Sequence, residues 1–214
     1  MSLQDVWTLF ITQAKATPML EWVAIIAAVA EVLLARANRV LLYPAGLIST
    51  LIYTWIFIQP TTQLYADAIL NVYYFVMSIY GWVLWGKRTN GDQLQVTVIN
   101  KQEMMKVVVF SIGGWGMLYL MLTQLFLLLP GYRPSDIALW DAFISATAWV
   151  GMWLLAKRKV ENWLLLNISN VVAIPIYMSK GMPFTAALTL FLFIVATFGY
   201  FEWKKQAQRS SAAA

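Results

Sequence analysis

Seven apolar segments run through the chain, at 19–36, 39–59, 64–86, 104–129, 136–156, 161–179 and 183–203. Each is close to the ~20 residues that cross a bilayer as a helix. Turn-forming clusters separate them: Gln59-Pro60-Thr61-Thr62, Thr89-Asn90-Gly91-Asp92, Pro130-Gly131-Tyr132-Arg133-Pro134 and Lys180-Gly181-Met182-Pro183. Inside hydrocarbon every backbone polar group must be satisfied internally, which leaves only helices or a closed barrel. Short segments with apolar-out, polar-in alternation are absent, so the barrel is disfavoured. The composition agrees: 61% hydrophobic and 12% charged, against roughly 25% charged in a soluble domain. The fold class is an all-α polytopic membrane protein.

The segments fall into a three, one, three pattern, and the two groups of three share a frame. Asn38 is followed by Tyr53 at the separation that divides Asn162 from Tyr177. Gly81-Trp82-Val83-Leu84-Trp85 is answered by Gly199-Tyr200-Phe201-Glu202-Trp203, and each is followed by a basic pair, Lys87-Arg88 or Lys204-Lys205. Two parallel three-helix repeats joined by one linker helix are therefore expected, with residues 19–86 as the first repeat and 136–203 as the second. The linker is 104–129, and its Gly113, Gly114 and Gly116 offer a smooth patch for a close neighbour. Residues 1–18 read as an interfacial segment, with Leu3, Val6, Trp7, Phe10 and Ile11 on one helical face. Residues 87–103 form a loop, and 204–214 a loose tail. Residues 1–17 carry no basic start followed by an apolar core, so no cleavable signal is expected there.

Charge placement sets the orientation. Twelve of the fifteen Lys and Arg residues fall on one side, leaving Lys15, Arg133 and Lys180 on the other. The basic side is cytoplasmic by the positive-inside rule, which puts the N-terminus outside and the C-terminus inside. The net charge of +5 thus reads as topology and not as nucleic-acid affinity. The chain has neither Cys nor His, which removes thiol chemistry, disulfides and imidazole catalysis. No cofactor or metal is expected.

Internal repeats in a polytopic protein point to a transporter that holds its substrate between them near mid-membrane. Polar side chains at that depth are costly and mark the working surface. On the sixth segment Trp163, Asn167 and Asn170 share a helix face. Substrate contact is the first reading and an interhelical hydrogen bond the second. The third segment carries Asp67, Asn71, Tyr74 and Ser78 as one stripe, with Asn71 open to either role. Asp67, Asp141 and Glu21 lie near outer ends, where they form a cation-attracting vestibule or merely face water. Glu31 is read as pairing with Arg39, and Glu202 as reaching the interface among Lys204 and Lys205. Trp82, Trp85 and Trp203 read as an aromatic belt. Pro44 and Pro175 are expected to kink their helices at comparable stages.

Four stretches resemble the Pnu-type vitamin transporters. They are Gln63-Leu64-Tyr65-Ala66-Asp67, Ser78-Ile79-Tyr80-Gly81-Trp82 with Trp85, Val160-Glu161-Asn162-Trp163-Leu164-Leu165, and the closing Gly199-Tyr200-Phe201-Glu202-Trp203. The resemblance covers nearly all of residues 20–205. It implies a SWEET-like fold, a homotrimer in the bacterial inner membrane, and facilitated diffusion of a vitamin trapped by a separate cytoplasmic kinase. No GxxxxGK[ST] pattern is present, so an intrinsic ATPase has no support. One departure stands out. Where the nicotinamide riboside carriers resemble Trp-x-x-Trp-x-x-x-Asn, this chain keeps Trp163 and Asn170 but places Leu166 at the second Trp. Loss of an aromatic face for a cationic ring makes thiamine the first expectation and nicotinamide riboside the alternative. The substrate site is then expected from Trp163, Leu166, Asn167, Asn170, Asn71, Tyr74, Asp67 and Asp141. An intramembrane enzyme lacks a convergent acid–base or metal set. A passive scaffold would leave the repeat and the polar stripes unexplained.

Overall fold

Two chain corners with the same hydrogen bonds define the architecture. After the helix that ends at Arg36, Asn38 takes a left-handed conformation (φ 54°). Its N–H bonds Ala35 O at 2.9 Å, and Arg39 N–H bonds Leu34 O at 2.9 Å. After the helix that ends at Ala156, Arg158 takes φ 52°, with Arg158 N–H on Leu155 O at 2.9 Å and Lys159 N–H on Leu154 O at 2.9 Å. The structural counterpart of Asn38 is therefore Arg158, four positions before Asn162. The frame read from Asn38/Asn162 and Tyr53/Tyr177 is one helical turn out. A shift of four residues keeps a side chain on nearly the same helix face, so chance identities survive it.

A computed structural model of the chain describes residues 2–59, 65–89, 92–128, 132 and 135–213. Eight α-helices appear among them: α1 Leu3–Ala16, α2 Met19–Arg36, α3 Leu42–Ile58, α4 Tyr65–Gly86, α5 Lys101–Leu120, α6 Ala138–Ala156, α7 Asn162–Ser179 and α8 Pro183–Ala213. A two-residue hairpin, β1 Arg88–Thr89 with β2 Asp92–Gln93, sits in the loop after α4. α5 continues through a π-turn, Met121–Leu125, and a 3-10 turn, Phe126–Leu128. α1 opens with a Ser2/Asp5 capping box and α5 with an Asn100/Glu103 box, each satisfying two orphan N–H groups. Several expected features (Gln63-Leu64, Pro60-Thr61-Thr62, Asn90-Gly91, Pro130-Gly131 and Arg133-Pro134) lie outside the described residues.

Six helices pack as a ring. α2 packs on α3, α3 on α4, α4 on α6, α6 on α7, α7 on α8, and α8 closes on α2. α5 lies outside, against α6. α1 turns back at 107° to α2 and lies on α8, where Gln13 Nε2 donates to Gly181 O at 2.7 Å. By length and apolarity four helices can cross a bilayer, or five if α1 and α2 count as one bent span. Seven were expected. α3 has 17 residues, and Asn162, Asn167, Asn170 and Pro175 dilute the apolar character of α7.

Several other expectations need correction. α8 is helical through Ala213, so the tail beyond residue 203 continues the last helix. Pro44 lies in the first turn of α3, where no intrahelical N–H bond is lost, while Pro175 is deep in α7. They are not equivalent kinks. The α5 glycines do not receive a close neighbour: nothing lies near Gly113 or Gly116, and Gly114 meets only Ala146 at 3.7 Å. Glu31 does not pair with Arg39; its carboxylate rests over Gly46. Arg36 instead holds Glu202, at 2.6 and 3.0 Å.

Two glycines do carry close approaches, at matching places. A Cβ on Gly81 would lie 2.3 Å from the Tyr43 ring, and one on Gly199 would lie 2.7 Å from the Trp163 ring. Gly81→Ala and Gly199→Ala should each destabilise by about 1–3 kcal/mol through overpacking, whereas Gly113→Ala should be silent. Thermal unfolding in detergent measures all three, and equal melting of Gly199→Ala and Gly113→Ala would refute the packing described.

Candidate substrate site

The basic end of the ring is sealed by aromatic side chains. Tyr43 meets Trp85 edge-on at 5.2 Å, Trp85 meets Trp203 at 6.0 Å, and Trp203 meets Trp163 edge-on at 5.6 Å. Trp203 is 0% exposed and Trp85 3%, so neither belongs to an interfacial belt; Trp82, at 45%, is the exposed one. Their indoles are crossed between the two halves. Trp85 Nε1 of α4 donates to Ala156 O at the end of α6, at 3.1 Å. Trp203 Nε1 of α8 donates to Ala35 O at the end of α2, at 3.1 Å. Arg158 lies over the Trp85 ring at 3.9 Å and donates to Leu94 O. Burial pulls its guanidinium below the ordinary value, with Tyr43 acting in the opposite sense.

Exposure identifies which face of each middle helix looks inward. Ile48, Leu51, Trp55 and Ile58 of α3 are exposed, as are Leu164, Ile168, Val171 and Met178 of α7. The opposite stripes carry Gly46, Thr50, Tyr53 and Phe57 on α3, and Leu166, Asn170, Ala173 and Tyr177 on α7. α3 and α7 hold the middle position of their halves, and these are their covered stripes, with Gly46 and Leu166 at the contacts with α2 and α6. On α4 the stripe opposite Val72, Val76, Ile79 and Val83 brings Asn71, Tyr74 and Ser78 to the same interior.

The residues singled out from the sequence separate into distinct places. Asn170 is half-buried on the inner stripe, with no side-chain hydrogen bond among the described residues. Asn167 leans toward α8 and donates through Nδ2 to Thr197 Oγ1 at 3.0 Å, leaving its Oδ1 unpaired. Trp163, 1% exposed, is part of the aromatic seal, with its Nε1 unpaired. Leu166 packs 3.1 Å from where a Cβ on Gly151 would sit, at the α6–α7 contact. In the first half the same contact is inverted, with Glu31 as the knob and Gly46 as the hole. Asn71 and Tyr74 are half-buried, with the Tyr74 ring 5.8 Å from Tyr73. Asp141 sits in the first turn of α6, at the position equivalent to Glu21 on α2. Asp67 is in the first turn of α4, and its side chain is not among those described.

Sequence reasoning missed Tyr43, Thr50 and Tyr53 as interior residues, using Tyr53 and Tyr177 only to mark the repeat. With the correct frame, Tyr43 answers Trp163 and Thr50 answers Asn170. A cavity of ≈ 480 Å³ lies outside the ring interior, lined by Tyr73, Phe110, Gly113, Gly114, Trp149 and Trp153. It is apolar, and ill-suited to a polar vitamin.

Helical repeats closed around a common axis recur among membrane transporters. The family model described as nicotinamide mononucleotide transporter matches residues 18–205. The chain belongs to that family. It is 25% identical over 217 residues to the nicotinamide riboside transporter PnuC of Escherichia coli (strain K12), covering 91% of this chain and 90% of that protein. The PnuC of Shigella flexneri matches to the same extent. Among solved structures, the crystal structure of the vitamin B3 transporter PnuC superposes with a TM-score of 0.70 at 19% identity, covering 97% of this chain and 90% of that one. At that identity the likeness speaks for the fold. These relatives are transporters and not enzymes, and this member of the nicotinamide mononucleotide transporter family is likewise no enzyme.

The crossed indoles make a direct prediction. Trp85→Phe and Trp203→Phe keep a ring but remove the indole donor from Ala156 O and from Arg36 O, while Ala35 O keeps Asn38 N–H, so each should cost about 1 kcal/mol. Denaturant or thermal unfolding of the singles and the double reads this out. No loss in either single variant would remove the indole bonds from the account.

Proposed function

We propose that the chain carries nicotinamide riboside down its gradient across a bacterial inner membrane, where a separate cytoplasmic kinase traps it by phosphorylation. The observation that carries this reading is the pairing of inner stripes on α3 and α7, set in a chain whose full-length relatives bear the name of that substrate. In this reading α2–α4 and α6–α8 are two parallel three-helix repeats, α5 is the linker span, and the protein has seven spans in a three, one, three order. The basic end, with the aromatic seal, is cytoplasmic, and the N-terminus is outside. By family resemblance the protein assembles as a homotrimer.

A pyridinium riboside is a flat cation with hydroxyls on a sugar. Glu21 and Asp141, at equivalent points of the two repeats, and Asp67 give the outer mouth a negative field that concentrates it. Tyr53, Tyr74 and Tyr177 offer ring faces to the pyridinium. Asn170, Thr50 and Asn71 satisfy the hydroxyl and amide groups, and Asn167 supports the Asn170 face from the α8 side. Release to the cytoplasm requires the repeats to part at the seal, which breaks both crossed indole bonds together.

The expectation of thiamine is set aside. It rested on Leu166 as a lost ring in the pocket. The relatives are named for nicotinamide riboside, and Leu166 fills the space over Gly151, so its identity is explained by helix packing. Calorimetry on purified protein should give tight nicotinamide riboside binding and weak or no thiamine binding; the reverse preference would overturn the assignment. Asn170→Ala should weaken nicotinamide riboside binding by about 1–3 kcal/mol, and an unchanged affinity in a folded variant would reduce Asn170 to packing. Leu166→Trp should lower the melting temperature through overpacking against Gly151 without changing which vitamin is preferred.

A further inference from the structure

Directly beneath the aromatic seal is a small polar pocket of ≈ 120 Å³, lined in part by Asn38, Gln95, Arg158, Gln206 and Ser210. Asn38 and Arg158 are the equivalent left-handed corners of the two halves, so the pocket sits on the axis that relates them.

The charge in this pocket has no counter-charge among the described residues. Arg158 is 6% exposed, and the ion pairs among the described residues, Arg36–Glu202, Lys159–Glu103 and Lys180–Asp136, do not include it. Its guanidinium is fixed by the Trp85 face and by the Leu94 carbonyl, while Nε has no partner. The remaining polar walls are amides and a hydroxyl. Asn38 Nδ2 donates to Gln206 Oε1 at 3.1 Å, Ser210 Oγ donates to Gln95 Oε1 at 3.3 Å, and Asn38 Oδ1 is unpaired. A half-turn of both amides keeps an Asn38–Gln206 bond and leaves Asn38 Nδ2 free for a ligand. A buried cation without a counter-charge is strongly unfavourable, and a guanidinium with amide donors around it is the chemistry that binds phosphoryl oxygens. The volume admits one tetrahedral oxyanion and is well below the ~300 Å³ at which pockets for whole small molecules begin.

We propose that this pocket binds the phosphoryl group of inorganic phosphate or of a phosphate monoester, and that occupancy holds the seal closed. The bound oxyanion ties Arg158, already seated on Trp85, to the corner of the other repeat at Asn38, to the loop at Gln95 and to α8 at Gln206. It binds only where these four elements meet, so it shifts the population toward the closed state. The gating consequence rests on the orientation and cargo given under Proposed function; the binding site does not. A cargo that becomes a phosphate monoester on the cytoplasmic side would then restrain its own entry.

The test uses the full chain. Calorimetry and thermal shift with sodium phosphate and ribose 5-phosphate, against sulfate and chloride at equal ionic strength, should show binding and stabilisation by the two phosphates beyond the chloride control. Gln206→Glu can still accept from Asn38 Nδ2 while placing a carboxylate beside Arg158. It should weaken phosphate binding at least tenfold, leave nicotinamide riboside affinity unchanged and not lower the melting temperature. Arg158→Gln, where it folds, should do the same to phosphate. In vesicles, phosphate on the cytoplasmic side should slow nicotinamide riboside uptake several-fold for the parent chain and not for Gln206→Glu. Phosphate no better than chloride, or undiminished binding by Gln206→Glu, overturns the site. Protection by phosphatidylglycerol vesicles without soluble phosphate also overturns it, as a lipid headgroup contact. If nicotinamide riboside fails to bind while phosphate binding still depends on Arg158, the cargo assignment falls and the site stands.

Discussion

The crossed pair of indole hydrogen bonds is the constraint on which the rest of the structure depends. An α-helix ends with four carbonyls that have no intrahelical partner. Here the corner that follows each of α2 and α6 serves most of them with its own N–H groups, Asn38 and Arg39 in one half and Arg158 and Lys159 in the other. The last carbonyl of each helix is served by a tryptophan from the other half: Trp203 Nε1 reaches Arg36 O, at 3.3 Å, as well as Ala35 O, and Trp85 Nε1 reaches Ala156 O. Each half completes the end of the other's first helix. The ring therefore shuts only as a whole, and the tryptophans that satisfy the carbonyls also fill the axis. Gly81 and Gly199 follow from this, because Tyr43 and Trp163 can reach the axis only where the facing helix has no Cβ.

That coupling gives the closed end a switch-like character. Parting the halves removes the indole donors from the Arg36 and Ala156 carbonyls and frees both indole N–H groups at once. A partial opening would leave buried polar groups unpaired at about 1–3 kcal/mol each. Opening far enough for water to enter removes that penalty. Intermediate apertures are thus disfavoured relative to closed and open, as alternating access requires. The Arg36–Glu202 pair, also between the halves, is more exposed and adds less.

The sequence carried the membrane class and the two-fold repetition, because apolar length and Gly-x-x-x-Trp spacing are local signals. The repeat frame was less legible. Asn38, Tyr53, Asn162 and Tyr177 are matching letters one helical turn out of register, and only the left-handed corners at Asn38 and Arg158 fix it. The role of the aromatics was also hidden. Trp82 and Trp85 are three residues apart and look alike as letters, yet one faces outward and the other caps α6. The packing of Leu166 was not legible either, because it depends on Gly151, on another helix. The half-buried place of Asn170 was legible because an amide at mid-span avoids lipid.

Where the two halves differ is where an asymmetric ligand has to be recognised. The scaffold positions agree: left-handed corners, glycine hollows, and indoles on helix ends. The interior positions do not. Thr50 is answered by Asn170, Tyr53 by Ala173, and Phe57 by Tyr177, so each half sets a polar group opposite a smaller or less polar one. A two-fold lumen with identical walls would hold a ligand equally well in two orientations, and its polar groups would be matched to neither end. A riboside has a charged ring at one end and a sugar at the other. For the riboside proposed above, breaking the symmetry inside the ring while keeping it at the seal would let one wall read the ring and the other the sugar, without disturbing the closure that both halves share. The same logic applies at the axis below the seal, where Asn38 opposes Arg158. There the asymmetry is one of charge, and it places a buried cation against Trp85 of the seal.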